Sequence, residues 1–309
     1  MRYRIFLIFL ALAILAPSFS SAQRWKRMRY EWVGGVGASN FLGELGGADQ
    51  IGTDYFKDLE FSMTRFVLSV GARYRIKQKI AASVHLNFGM VSGNDNTTKE
   101  AARSYRNLSF RSIILELAVQ FEPSVIKETS GHRYRLKGVK GRRWLGINTY
   151  PFVGIAVFYF NPKAKYNGKW YALQPLRTEG QGEFQTRKKY SRFSVAIPFG
   201  LGFKYGYDRK WSIGFEYGIR KTFTDYIDDV STTYVDESFI RDATGGVNSD
   251  IAIALADRSE PIAVDDWRRT AAGQQRGDPT DKDSYMFAKI MIAYKFRVIK
   301  KRRRSRPKF

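Results

Sequence analysis

Residues 193–207 read FSVAIPFGLGFKYGY. Phe193, Val195, Ile197, Phe199, Leu201, Phe203, Tyr205 and Tyr207 alternate with Ser194, Ala196, Pro198, Gly200, Gly202, Lys204 and Gly206. A period of two is that of a β-strand, whose successive side chains leave opposite faces. One face is large and apolar; the other is small, glycine-rich or charged. The run is also well past the length of about five or six residues usual for strands in soluble proteins. A strand this long, with its bulky residues on one side only, is what crossing a bilayer at a tilt requires.

The pattern continues outward from that stretch. After Asp208-Arg209-Lys210, residues 211–219 set Trp211, Ile213, Phe215, Tyr217 and Ile219 against Ser212, Gly214, Glu216 and Gly218. Residues 80–90, IAASVHLNFGM, put Ile80, Ala82, Val84, Leu86, Phe88 and Met90 on one face. Residues 286–296 do the same with Met286, Ala288, Ile290, Ile292, Tyr294 and Phe296, opposite Lys289 and Lys295. Aromatic residues gather near the strand ends (Tyr74, Phe160, Tyr205, Tyr207, Trp211, Tyr294, Phe296), as interfacial girdles do. The reading is an all-β fold, a transmembrane antiparallel up-and-down β-barrel. Its strands are expected at 30–41, 61–76, 79–91, 109–122, 147–160, 193–207, 211–222 and 284–297. The first and fifth alternate less cleanly, which leaves their registers open. An even strand number closes the sheet and removes its edges, as hydrocarbon demands.

Connections alternate in length. Lys77-Gln78 and residues 208–210 are tight turns, whereas 42–60, 92–108, 161–192 and 223–283 are long; 123–146 is a long segment on the short-turn side. Barrels of this class keep short turns in the periplasm and long loops outside. The N-terminus fits that compartment: Arg2 and Arg4 precede an apolar run, Ile5 to Ala16, and Ser20-Ser21-Ala22 offers a small-residue cleavage site. Residues 1–22 therefore read as a signal peptide, 23–296 as the barrel and 297–309 as a basic periplasmic tail. The chain has no cysteine, which excludes disulfides and thiolate chemistry.

Charge is distributed unevenly. Residues 24–29, 73–79, 124–146, 208–210 and 297–309, all on the short-turn side, hold 25 Lys and Arg against Glu128 and Asp208. The remaining residues hold 27 basic and 27 acidic side chains, so the net charge of +23 lies on one face. Nucleic acid is no partner for an exported barrel, despite the high isoelectric point. The basic face, with Arg133, Arg135, Lys137, Lys140, Arg142, Arg143, Arg302, Arg303 and Arg304, reads as a docking surface for an acidic protein or anionic outer-membrane lipid. Loop 223–283, by contrast, carries 14 acidic against 6 basic residues.

Little points to catalysis, and no cofactor is expected. His85 and Ser83 share a strand face, but a polar lumen is the simpler reading of both. Glu116 and Glu216 point inward, with Arg220 and Lys289 as partners for ion pairs that fill a narrow barrel. Arg220, four residues along the same strand, lies within diagonal reach of Glu216. Asp225, Asp228 and Asp229 supply oxygens of the kind Ca2+ takes, yet lack the spacing of a calcium loop. Two histidines do not make an ordinary metal cluster.

One segment stands apart. Residues 222–236, TFTDYIDDVSTTYVD, leave the seventh strand at the outer rim and combine acids, tyrosines and hydroxyls. Read locally, such a stretch extends the hairpin beyond the membrane. With Arg220 and Lys221 it closely resembles the segment that marks PorG-like outer-membrane β-barrels of the Bacteroidota. It carries Thr224, Asp225, Tyr226, Asp228, Asp229, Ser231, Thr232, Thr233 and Tyr234. The resemblance implies a small OmpA/OmpX-like barrel, non-enzymatic, accessory to the type IX secretion system and gliding motility. It also implies association with the periplasmic ring built by the lipoprotein PorK and its partner PorN. A small channel, a surface-binding barrel and a lipid-modifying enzyme are the alternatives.

Overall fold

The computed structural model describes residues 28–45, 61–97, 101–126, 147–208, 210–246, 248–259 and 270–297. Within them the strands are β1 (Tyr30–Leu42), β2 (Arg65–Lys77), β3 (Ile80–Asn94), β4 (Ser109–Pro123), β5 (Ile147–Tyr166), β6 (Lys169–Ala172), β7 (Phe193–Gly206), β8 (Trp211–Thr222) and β9 (Ser284–Phe296). All pair antiparallel in one sheet. The sheet closes because β9 pairs with β8 from Trp211 to Lys221 and with β1 from Tyr30 to Leu42. The barrel thus has eight strands among the described residues; β6 is a short partner folded back on the end of β5.

Closure sorts the two faces as the alternation requires. Trp32, Val70, Leu117, Ile155 and Ile290 point outward and are between 53% and 66% exposed. A continuous apolar belt of that kind is a lipid-facing surface, not one for water. Ser83, His85, Asn87, Glu116, Gln120, Glu216 and Lys289 point inward and are buried.

The two unclear registers have a simple cause. On β5 both faces are large and apolar: Val153, Ile155 and Val157 face lipid, while Tyr150, Phe152, Phe158 and Phe160 face the lumen. On β1 three glycines, Gly34, Gly35 and Gly37, blur both faces. The lumen takes the β5 rings because its neighbours are glycines. A Cβ on Gly202 would collide with the Tyr150 ring, and one on Gly218 with that of Phe152.

Three local features depart from the expected layout. β2 begins at Arg65 rather than 61, because Phe61–Met63 turns as a 3-10 helix. β5 continues six residues past 160 to Tyr166, where Asn167 and Gly168 take positive φ and reverse the chain into β6. The long connections also carry helices: α1 (Ala101–Arg106) between β3 and β4, and α2 (Glu237–Thr244) and α3 (Ser249–Ala256) between β8 and β9. Asp236 caps α2 by accepting from the Ser238 amide, and Gly245 ends it at φ 64°. The signal peptide and the basic tail, 297–309 beyond Arg297, lie outside the described residues.

Because β9 carries both closing ladders, its loss leaves two open edges in hydrocarbon, where each unpaired backbone group costs several kcal/mol. Truncation after Phe296 is expected to leave a barrel that inserts and migrates heat-modifiably on gels. Truncation before Ile290 is expected to abolish both.

Candidate functional site

The lumen holds a nearly continuous chain of ion pairs. At the short-turn end Glu31 meets Lys204 Nζ at 2.9 Å, Arg75 at 2.9 Å and Arg73 at 3.6 Å. Arg73 Nε also lies 2.6 Å from Glu122, and its Nη2 donates to the Tyr150 hydroxyl at 2.9 Å. Mid-barrel, Lys289 Nζ sits 3.0 Å from Glu216 Oε1, and Arg220 Nε 3.3 Å from Glu116 Oε2. The Tyr285 hydroxyl donates to Glu116 at 2.7 Å, Asn87 Nδ2 at 2.6 Å, and the Arg220 guanidinium lies over the Phe287 ring. The four lumen residues singled out from the sequence therefore form one assembly. Its pairing differs from diagonal reach along a strand. Lys289 stands directly across from Glu216 in the β8–β9 ladder and takes it, so Arg220 crosses the bore to Glu116 on β4. A lone charge in this setting would cost far more than pairing recovers.

Little free space remains. Among Arg73, Glu122, Asn148, Tyr150 and Lys204 there is a cavity of about 10 Å³, room for one water. Ser83 donates its hydroxyl to Glu122, not to His85, so no Ser–His pair is assembled.

Above the lumen, the segment 222–236 closes the long-loop mouth. It does not extend the β8 hairpin: past Thr222 it is irregular, with Asp225, Ile227, Asp228, Asp229, Val230, Ser231 and Tyr234 buried. Its ring and carboxylate contacts explain its composition. Tyr226 stacks on Tyr190 at 4.5 Å and 7°, and Tyr190 stacks in turn on Phe160 at the top of the lumen. Asp229, at φ 68°, accepts from the Tyr190 hydroxyl at 2.6 Å and the Thr178 hydroxyl at 2.5 Å. Asp228 accepts from the amides of Leu45 and Val230, and Asp283 from that of Ile227. Thr224 accepts through its carbonyl from the Asp283 amide, while Thr233 bridges to Gln275 and takes Arg187 on its carbonyl and hydroxyl.

Three residues outside the segment hold it. Glu179 accepts from the Ser231 and Thr232 amides and the Thr232 hydroxyl. Arg276 pairs with Glu179 at 2.8 Å and donates to the Asp229 carbonyl at 2.6 Å. Arg106 pairs with Asp95 at 2.8 Å and donates to the carbonyls of Glu44 and Arg276, tying the β3–β4 connection to the β1–β2 and β8–β9 connections. Nothing in the sequence distinguishes these three from other loop charges, since their partners lie 11 to 170 positions away.

Glu44, Asp225, Asp228 and Asp283 crowd the same mouth. Burial raises Glu44 to about 8 and Asp225 to about 6, and burial with neighbouring carboxylates holds Asp228 and Asp283 well above the usual range. Among the described residues no group of three or more His, Cys, Asp or Glu is placed to hold a metal ion. Arg133, Arg135, Lys137, Lys140, Arg142, Arg143, Arg302, Arg303 and Arg304 lie outside the described residues.

A family model described as the outer membrane protein beta-barrel domain matches residues 7–239. No curated protein matches the chain in sequence. Among solved structures, Neisserial surface protein A is 8% identical with a TM-score of 0.37, covering 86% of this chain and 96% of that one. OprG from Pseudomonas aeruginosa is 9% identical with a TM-score of 0.37, covering 88% and 98%. Ail of Yersinia pestis is 10% identical with a TM-score of 0.35, covering 87% and 99%.

Two outcomes are expected at the mouth. Arg276→Gln strands Glu179 in a buried site, at a cost of about 3–5 kcal/mol to the closed arrangement. Hydrogen exchange across 224–234 is expected to rise while the barrel stays heat-modifiable. The pH dependence has a definite sign. Raised carboxyl pKa values mean that the closed mouth binds more protons than the open one, so its stability falls as pH rises. The contribution is complete below the ordinary carboxylate range and lost as pH passes through about 6 to 8, the values for Asp225 and Glu44. Exchange in this segment is therefore expected to be slower at pH 5 than at pH 8. Asp278, lowered by its bonds to Thr280, titrates below that window.

Proposed function

We propose a function from one premise: this chain belongs to the outer membrane protein beta-barrel domain family and resides in the cell outer membrane. Our reading is a non-enzymatic, non-conducting anchor that serves the type IX secretion system, holding a PorK/PorN-like periplasmic ring through its basic short-turn face. The observation that carries the anchor reading is the filled bore. Eight strands leave only room for side chains, and here Glu31, Glu116, Glu122 and Glu216 are each engaged by a cation or a hydroxyl within it. Such a filling, among the described residues, favours a role for the two ends of the barrel over one for the bore.

The secretion reading rests on the segment from Arg220 to Asp236 and on charge. At the short-turn end Lys77, Lys79, Lys210 and Arg297 are exposed, and Asp208 is the exposed acid among the described residues there. The connection 124–146 adds seven cations against Glu128. A patch of one sign steers an acidic partner and sets its rate of encounter.

Reversing Arg133, Arg135, Lys137, Arg142 and Arg143 to Glu is expected to leave the barrel inserted and to release ring proteins from cross-linked outer membranes. Salt beyond about 0.5 M, where the Debye length falls to about 4 Å, is expected to do the same to the unmodified protein. Co-purification that survives both treatments removes the basic face from the interface. Stepwise conductance in planar bilayers would instead favour the channel reading.

A further inference from the structure

An outward groove of about 530 Å³ lies at the long-loop end, between β3, β4 and the β5–β6 hairpin. Arg65, Arg111, Lys165 and Arg258 line it, and among the described residues no carboxylate does. None of the four forms an ion pair with a described residue. Arg65 donates to the carbonyls of Ser62 and Thr64, and Arg258 to the Ser109 hydroxyl. The Arg111 guanidinium stacks 3.6 Å above the Trp170 ring, a contact that fixes its plane and uses none of its N–H donors. Unpaired cations on a protein surface are ordinary when acids are scarce. Here acids are plentiful at the same end, where loop 223–283 alone holds 14, and none of those among the described residues lines this groove.

The groove's level matters as much as its charge. Phe88, Ile113 and Leu115, exposed members of the lipid-facing belt, lie on β3 and β4 next to it in sequence, and Met63 and Met90 add apolar surface to its lining. The cations begin where the belt ends. The Trp170 indole, 41% exposed, and the amides of Asn96 and Asn167 also line the groove. Apolar below, cationic at the interface and rich in amides with one aromatic ring, the groove matches a phosphorylated sugar whose acyl chains lie in the leaflet beneath.

We propose that this groove binds the phosphorylated saccharide headgroup of a glycolipid in the leaflet at the long-loop end. Arg111 and Lys165 hold phosphate by charge-assisted hydrogen bonds, and Trp170 offers a stacking face to a sugar ring. The proposal is independent of the secretion reading, since it uses the opposite end of the barrel.

The test uses the full-length protein in phosphatidylcholine nanodiscs doped with a bisphosphorylated diglucosamine lipid, with the retained lipid counted by native mass spectrometry. Retention is expected to fall roughly tenfold in Arg111→Glu/Lys165→Glu, the loss of two charge-assisted contacts. The control Lys188→Glu/Lys189→Glu changes charge equally at exposed positions outside the groove and is expected to retain the lipid. Should the first variant fail to form a heat-modifiable barrel, Lys165→Gln/Arg258→Gln replaces it with the same expectation. Equal loss in the control overturns the proposal, because bulk charge then explains retention. So does unchanged retention of the dephosphorylated lipid, because phosphate is then not read. Displacement by soluble glucosamine phosphate at equal concentration overturns the lipid source, because the site then serves a free sugar phosphate.

Discussion

Backbone groups that cross hydrocarbon must find partners inside the protein, and a sheet with an edge cannot supply them. The pairing of β9 with β1 meets that demand and constrains everything else. Eight strands fix a bore that only side chains fill. Each inward residue then faces other strands instead of water. A carboxylate such as Glu116 needs Arg220 and Tyr285 from across the bore, and the rings of Tyr150 and Phe152 need the glycines of β7 and β8. The ion-pair chain is thus a consequence of closure, not an addition to it. It stabilises the barrel little compared with an apolar filling, but removing one partner leaves a buried charge.

The barrel was largely legible in the sequence because its signal is local. A bilayer on one side and a packed polar bore on the other impose period two on every strand, and β7 declares it residue by residue. Legibility failed where that contrast failed. β5 carries Phe158 and Phe160 inward and Val157 and Tyr159 outward, so its alternation carries no information about which side is which. The end of β5 is not legible because the strand runs past the membrane, where no solvent contrast marks it, and the start of β2 because Phe61–Met63 turns as a 3-10 helix. Ion-pair partners were only half legible. That Glu116 and Glu216 needed cations followed from burial, but the choice between Arg220 and Lys289 depended on strand stagger, which closure sets and composition does not.

The mouth was the least legible part. Its segment announced itself by composition, yet what it does is determined by residues elsewhere in its own connection and in others. Glu179, Arg276 and Arg106 resemble any loop charges until the loops are folded together. The acids of the segment then prove to be acceptors for amides that have no sheet partner: Asp228 for Leu45 and Val230, Asp283 for Ile227, and Glu179 for Ser231 and Thr232. A buried irregular chain leaves its backbone donors orphaned unless side chains meet them. That need accounts for carboxylates where a core would otherwise be apolar.

Sealing at two levels limits how the ends of this molecule can communicate. Opening the bore would separate Glu116 from Arg220 and Glu216 from Lys289, leaving charges in a site that water barely reaches. Opening the mouth would break the Glu179–Arg276 pair and expose the amides it satisfies, but would leave the lumen below intact, because the two layers meet through the stacked rings of Phe160, Tyr190 and Tyr226 and not through shared charges. The mouth is therefore the softer element, and its carboxylates make it sensitive to protons. The loops at the long-loop end can therefore rearrange without breaking the ion pairs of the barrel below. Among the described residues, the ion pairs of the bore and the stacked rings above it form two layers that separate the ends of the barrel.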